Sequence, residues 1–221
     1  MHARPHSTIA RDRRQKAFSL IELLVVIAIM AILIAAAVPV FSNTQNNARQ
    51  ASREIIKAHL QQARAHAIAA STPTAVAIPV LASGGDLGAR AVSLFEVELD
   101  GNSYVPLKDA AGKDRLLQRW TILPGNFHFL GSAQLTSGQA TIVDSPETMP
   151  AETKGRALTC HIIVFSPNGQ IVRPAGTIQI ATAQAARSGN TLTPTQKNDG
   201  KPVSDLLQVN RLTGRTRFVE P

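Results

Sequence analysis

Cysteine is almost missing from this chain: among 221 residues there is one, Cys160. A single thiol makes no internal disulfide, so no disulfide scaffold holds the fold. Four-ligand zinc sites built mainly from cysteine are excluded with it. Aromatic side chains are scarce as well, at 4%, which leaves few platforms for stacking nucleic-acid bases. Acidic residues number 15 against 23 Lys and Arg, a net charge of +8. What is present is an ordinary apolar fraction of 44%, distributed very unevenly, and a length that suits one domain or one domain with an appendage.

The charge is uneven too. Residues 1–17 carry Arg4, Arg11, Arg13, Arg14 and Lys16 against Asp12, five bases and one acid, so +4 of the +8 sits there. Basic residues directly ahead of an apolar run hold that end of the run in the cytoplasm. The run follows at once. From Leu20 to Val38 the one ionisable side chain is Glu22. As a helix this stretch is apolar on every face and roughly spans a ~30 Å hydrocarbon core. It reads as a membrane span or a cleaved signal. Ala35-Ala36-Ala37 offers the small residues of a secretory cleavage site. Glu22 argues for a retained span, because a carboxylate in hydrocarbon costs a few kcal/mol and a discarded signal gains nothing from it.

The residues around this acid, Lys16-Ala17-Phe18-Ser19-Leu20-Ile21-Glu22-Leu23-Leu24-Val25-Val26-Ile27-Ala28-Ile29, resemble the cleavage and methylation motif of type IV prepilins and type II secretion pseudopilins. The usual form is Gly-Phe-Thr-Leu-Ile-Glu-Leu, so Ala17 stands for Gly and Ser19 for Thr. The resemblance implies that prepilin peptidase cuts between Ala17 and Phe18 and that Phe18 is N-methylated. It also implies that Glu22, one helical turn along, pairs with the N-terminal ammonium of a neighbouring subunit. A buried charge is tolerable when it meets an opposite one.

Beyond Pro39 polarity rises, and Ala48, Ala51, Ile55, Ala58/His59, Gln62/Ala63 and Ala67 recur at three- and four-residue spacings. That pattern predicts an amphipathic helix whose alanine-rich face packs close on a sheet, stopped by Ser71-Thr72-Pro73. The rest reads as strands and turns. Strands are expected at Thr74–Leu81 (an edge, because of Pro79), 95–100, 116–123, 127–130, 140–143, 160–165, 177–181, 206–210 and 215–219. Residues 95–100 alternate apolar and acidic as a half-buried strand does. Residues 144–156 and 183–202, rich in small polar residues, read as surface loops.

No enzyme or cofactor motif is found: the glycine-containing segments 83–86 and 188–190 are turns, and no phosphate loop is present. His59 and His66 stand two helical turns apart, too far for a shared metal. His161 and Cys160 alternate across a strand, and Cys160 reads as a small buried hydrophobe. Trp120 and Tyr104 read as core or rim. The C-terminal Arg215 and Arg217 are different, because residues two apart in a strand point one way, and Arg211 is placed to join them.

Phe165-Ser166-Pro167-Asn168-Gly169 and Gly214-Arg215-Thr216-Arg217 are similar to the C-terminal half of GspH/FimT minor pseudopilins and pilins. The resemblance implies an α+β pilin-like fold, a long N-terminal helix with its first half in the membrane and its second packed on an antiparallel β-sheet head. The expected organisation is a basic leader at 1–17, a membrane half of the helix at 18–38, an amphipathic half at 39–71 and a β-rich head at 72–221. The expected function is assembly into a type II secretion pseudopilus or type IV pilus, not catalysis. Expected partners are other pilins, prepilin peptidase and the inner membrane, crossed once with the head in the periplasm. Two rivals stand beside it. One is a FimT-like DNA-binding pilin using Arg211, Arg215 and Arg217, through salt-sensitive phosphate contact. The other is a periplasmic protein released after Ala37. A secreted cargo protein is a further possible partner of the first reading.

Overall fold

The computed structural model describes residues 20–131, 147–150, 157–175 and 178–219, with side chains omitted at 36–44, Glu147, Thr148, Pro150 and Lys201. Strand 140–143 of the sequence reading lies outside these residues. The molecule is α+β, one N-terminal helix followed by antiparallel strands. The chain divides into two units, one ending at Thr44 and one beginning at Gln45. The division falls inside the helix.

Helix α1 covers Leu20–Ala70, 51 residues, and passes through Pro39 as one element. Glu22 in its first turn complements the helix dipole. Its end is built locally. Ser71 takes a left-handed conformation, φ 52°, which closes a helix C-terminus. The Thr72 hydroxyl donates to the Ala70 carbonyl at 3.1 Å, and Pro73 supplies no N–H to continue the ladder.

In the first unit the apolar side chains from Leu20 to Ile34 are exposed, Leu20 at 81% and Leu33 at 64%. Among the described residues no helix is long and apolar enough to cross a membrane. Side chains of the apolar run are described as far as Ala35, so the expected span at 18–38 is described only in part.

In the second unit α1 buries Ser52, Ile56, His59, Leu60, Ala63 and Ala67. This face is rotated by about one residue from the expected one. Ala51, Ala58 and Gln62 are exposed, whereas Ser52 is buried, its hydroxyl donating to the Ala48 carbonyl at 2.8 Å. The large aliphatics Ile56 and Leu60 fix the phase, and alanine, small enough for either side, does not.

The central strand of the head is β1 (Thr74–Pro79), held antiparallel between β2 (Ala91–Asp100) and β7 (Ala157–Phe165). β1 is therefore no edge; Pro79, its last residue, ends it. All six β1 residues are buried. Val76 and Ile78 face α1, and Ala75 and Ala77 face a second core. β3 (Ser103–Pro106) and β4 (Leu116–Ile122) pair with β2, and β6 (Glu147–Pro150) and β8 (Ile171–Arg173) pair with β7. β3 and β6, at the two ends of the strand order, touch each other. The sheet thus curls around Phe95, Val97, Met149, Cys160 and Ile162. Trp120 packs there against Phe95, centroids 5.9 Å apart.

A second sheet is built on β9 (Ile178–Ser188), flanked by β5 (Phe127–Phe129), β10 (Thr191–Pro194) and β13 (Asp205–Val209), with β14 (Thr216–Val219) beyond β13. β11 (Lys197–Asn198) and β12 (Lys201–Pro202) form a separate hairpin. The expected loop 183–202 is thus mostly strand. Its polar composition hid the burial of Ala183 and Ala185 in β9. In the expected loop 144–156, residues 147–150 are β6, whose Met149 is fully buried. Ile178, Ile180, Leu207 and Val209 join Leu60 and Phe165 in the main core, so α1 seals both sheets.

Candidate functional site

Ala17 and Phe18 lie outside the described residues. Glu22 is exposed in the first turn of an otherwise apolar segment, and no described side chain pairs with it.

The segments ending at Gly169 and beginning at Gly214 converge on one side chain of α1. The β7–β8 turn places Gly169 at φ +78°, and the β13–β14 turn places Gly214 at φ +63°. Arg64 lies against both. Its Nε donates to the Gly169 carbonyl at 3.2 Å. A Cβ added at Gly214 would stand 2.6 Å from Arg64 Cδ and 3.2 Å from the Phe165 ring. Two widely separated turns are glycine because α1 passes too close for a side chain, and because both take left-handed φ.

Arg211, Arg215 and Arg217 do not form one cluster. Arg211 is turned to the β8 side, its guanidinium donating to the carbonyls of Ile171 at 3.0 Å and Ala175 at 2.6 Å. Arg217 donates to Gln208 Oε1 on the paired strand, at 2.9 and 2.6 Å. Arg215 is exposed, and no described side chain or carbonyl engages its guanidinium. Arg215 and Arg217 line one surface cleft beside β14, so these two share a side, without Arg211.

Two buried acids tie α1 to the head. Asp205, at the start of β13 and 3% exposed, accepts from Arg49 at 2.5 Å and from Arg53, and Arg53 also lies over the Phe218 ring at 4.9 Å. Burial alone would raise the Asp205 carboxyl, but the two arginines outweigh it and hold it below the ordinary carboxylate value. Glu96 forms an ion pair with Arg115 at 2.6 Å and faces His66 Nε2 at 3.4 Å. Glu96 corrects the half-buried reading of 95–100, because both faces of β2 are covered there. The sequence pattern carried no sign of either acid. Asp205 sits beside a polar loop, and Glu96 alternates with apolar residues as a solvent-facing side chain would.

Cys160, His59 and His66 are held inside the head. Cys160 is fully buried and its thiol is pushed up to about 12 by burial. His59 Nδ1 bonds the Ile55 carbonyl at 2.7 Å, and burial lowers its pKa despite that bond. His66 is engaged by Thr74 and Glu96. Among the described residues no three His, Cys, Asp or Glu side chains come together to hold a metal ion.

Compared with known families, residues 12–38 match the prokaryotic N-terminal methylation motif. No curated protein and no solved structure matches the chain. The match covers the segment that holds Ala17, Phe18 and Glu22 and supports a type IV pilin-like precursor. It implies processing by prepilin peptidase and assembly with other pilins.

Proposed function

We propose that this chain is a minor pilin or pseudopilin of the GspH/FimT kind, a filament subunit rather than an enzyme. The observation that carries the reading is continuity. The methylation motif at 12–38 runs directly into α1, and the described apolar side chains of that segment are exposed. A bare apolar helix bearing one carboxylate suits burial in the membrane before assembly and among sister helices after it.

In this reading prepilin peptidase cuts after Ala17 and methylates the new N-terminus at Phe18. Residues 18–38 anchor the precursor once in the inner membrane, with the head in the periplasm. Glu22 then meets the N-terminal ammonium of a neighbour and sets axial register, a buried ion pair acting as a specificity device. Release after Ala37 fits less well, because α1 continues unbroken through that position. The DNA-binding alternative is weakened by Arg211 and Arg217, whose guanidinium groups are already engaged within the fold.

Mass spectrometry of the protein expressed with a prepilin peptidase tests the reading. The expected product begins with N-methylated Phe18. A product beginning at Val38 would overturn it.

A further inference from the structure

Ten of the eleven arginines in the described residues are in use. Arg49, Arg53 and Arg115 meet carboxylates. Arg64, Arg90, Arg173, Arg187 and Arg211 donate to carbonyls, Arg217 donates to Gln208, and Arg119 is engaged as well. Arg215 alone among them has no side-chain partner in the described residues. Its backbone is nevertheless fixed, its N–H donating to Thr213 Oγ1 at 3.3 Å and its carbonyl accepting from Asn210 at 2.8 Å. An exposed cation is held at a set place with no side-chain partner among the described residues.

That place is one wall of a groove of about 380 Å3 between α1 and the β13–β14 turn. Lys57, Arg64 and Ile68 come from the helix wall, and Gly214, Arg215 and Thr216 from the turn. No acidic residue lines it. The nearest carboxylate to Lys57 is the exposed Glu54 at 4.0 Å, a pair worth little in solvent. Ile68 is 47% exposed and supplies an apolar patch. No aromatic residue lines the groove, so it offers bases no stacking surface. Cations beside an aliphatic patch suit a peptide that carries carboxylates next to an aliphatic residue.

The chain itself displays such a segment. The β2–β3 hairpin ends in Glu98, Leu99 and Asp100, all exposed, with Leu99 at 61%. At the tip Gly101 takes φ +61°, and Arg173 donates to the Asn102 carbonyl at 3.0 Å. Glu98 and Asp100 share one face of the strand and Leu99 takes the other.

We propose that the groove receives the β2–β3 tip of a second copy of this chain, Glu98 and Asp100 meeting Arg215 and Lys57 while Leu99 packs on Ile68. The contact joins two different surfaces, so it is able to pass from copy to copy along an assembly as well as to close a dimer. It does not depend on processing at Phe18, and the two readings fail separately.

Disulfide linking of the full-length chain in detergent, through one introduced cysteine per chain, tests the contact. Cys160 is buried and stays out of the reaction. A Gln61→Cys chain, with cysteine on the helix wall, is mixed with a Leu99→Cys chain bearing a tag of different size, and the mixture is oxidised. The expected result is a mixed disulfide in excess of both like-with-like products. Arg215→Glu in the Gln61→Cys chain lowers that product by about fivefold or more, through like-charge juxtaposition. Glu98→Arg with Asp100→Arg in the other chain restores it. Mixed linking that does not exceed the like-with-like products, or that ignores Arg215→Glu, overturns the proposal. If Arg215→Glu instead abolishes retention of duplex DNA and leaves linking unchanged, the groove serves phosphate backbones and the contact between copies is wrong.

Discussion

Gly214 and Gly169 each answer two demands at once, a left-handed backbone and a near-contact with Arg64. From sequence they read as turn formers, which satisfies the first demand. The second becomes visible only when α1 is laid across both turns. Gly214→Ala should therefore cost more than an ordinary turn glycine. We expect a loss of about 1–3 kcal/mol from the strained φ alone, plus whatever is lost as Arg64 and Phe165 shift. Chemical denaturation of the two proteins measures it, and Gly112→Ala is the control. Gly112 has a similar positive φ but open space around it, so the excess of the first loss over the second isolates the clash. Cys160 makes the same point in reverse. Its chemistry was legible in the sequence because its neighbours His161–Phe165 are a run of strand-forming, mostly apolar residues, and burial then suppresses the thiolate.

α1 is the element on which the proposed assembly rests. Its first unit has the composition of a buried helix and the exposure of a surface one, a contradiction that other chains or lipid would resolve. Glu22 is the specific feature in that segment, and a generic apolar helix would do better without it. Glu22→Leu should leave membrane retention intact and sharply reduce recovery of the protein in sheared filament fractions. Recovery equal to wild type would show that register is set elsewhere. The second half of α1 teaches a different lesson. Periodicity located the helix and its stop, but its phase slipped because alanine, His59 and Ile55 are compatible with two adjacent faces. Ile56 and Leu60 decide the matter by filling the space between two sheets. β9 is comparable: its alanines have low strand propensity, yet β5 and β13 on either side make the position a strand.

At the scale of the whole head, α1 is attached by burial and by charge together. The Asp205 carboxyl is held low by Arg49 and Arg53 against the opposing effect of burial. A carboxyl depressed in the folded state contributes stability that is present above its unfolded pKa and is lost as pH falls through the folded value. The difference in unfolding free energy between wild type and Asp205→Asn should be about 1–3 kcal/mol near neutrality. It should shrink as pH drops below about 4, the ordinary carboxylate range. Urea unfolding across that pH series checks it, and a difference that does not vary with pH would remove the ion pair from the account. His59 and His128 act in a separate window. Burial lowers both, so each costs stability as pH falls below the ordinary histidine value of about 6.5, equally in both proteins.

Patterns local in sequence were sufficient for a large part of this protein. The motif around Glu22, the apolar run, the helix stop at Ser71–Pro73, the hairpin turns at Gly101 and Gly214 and the strands at 160–165 and 206–210 all follow from neighbours within a few residues, because dihedral preference and side-chain period act over that range. Only the folded chain decided which strands are central and which of the three C-terminal arginines has no side-chain partner among the described residues. It also decided that Glu96 and Asp205 are interior. Those outcomes depend on what covers each face, and the covering groups come from residues distant in the chain: Arg49 lies 156 positions from Asp205.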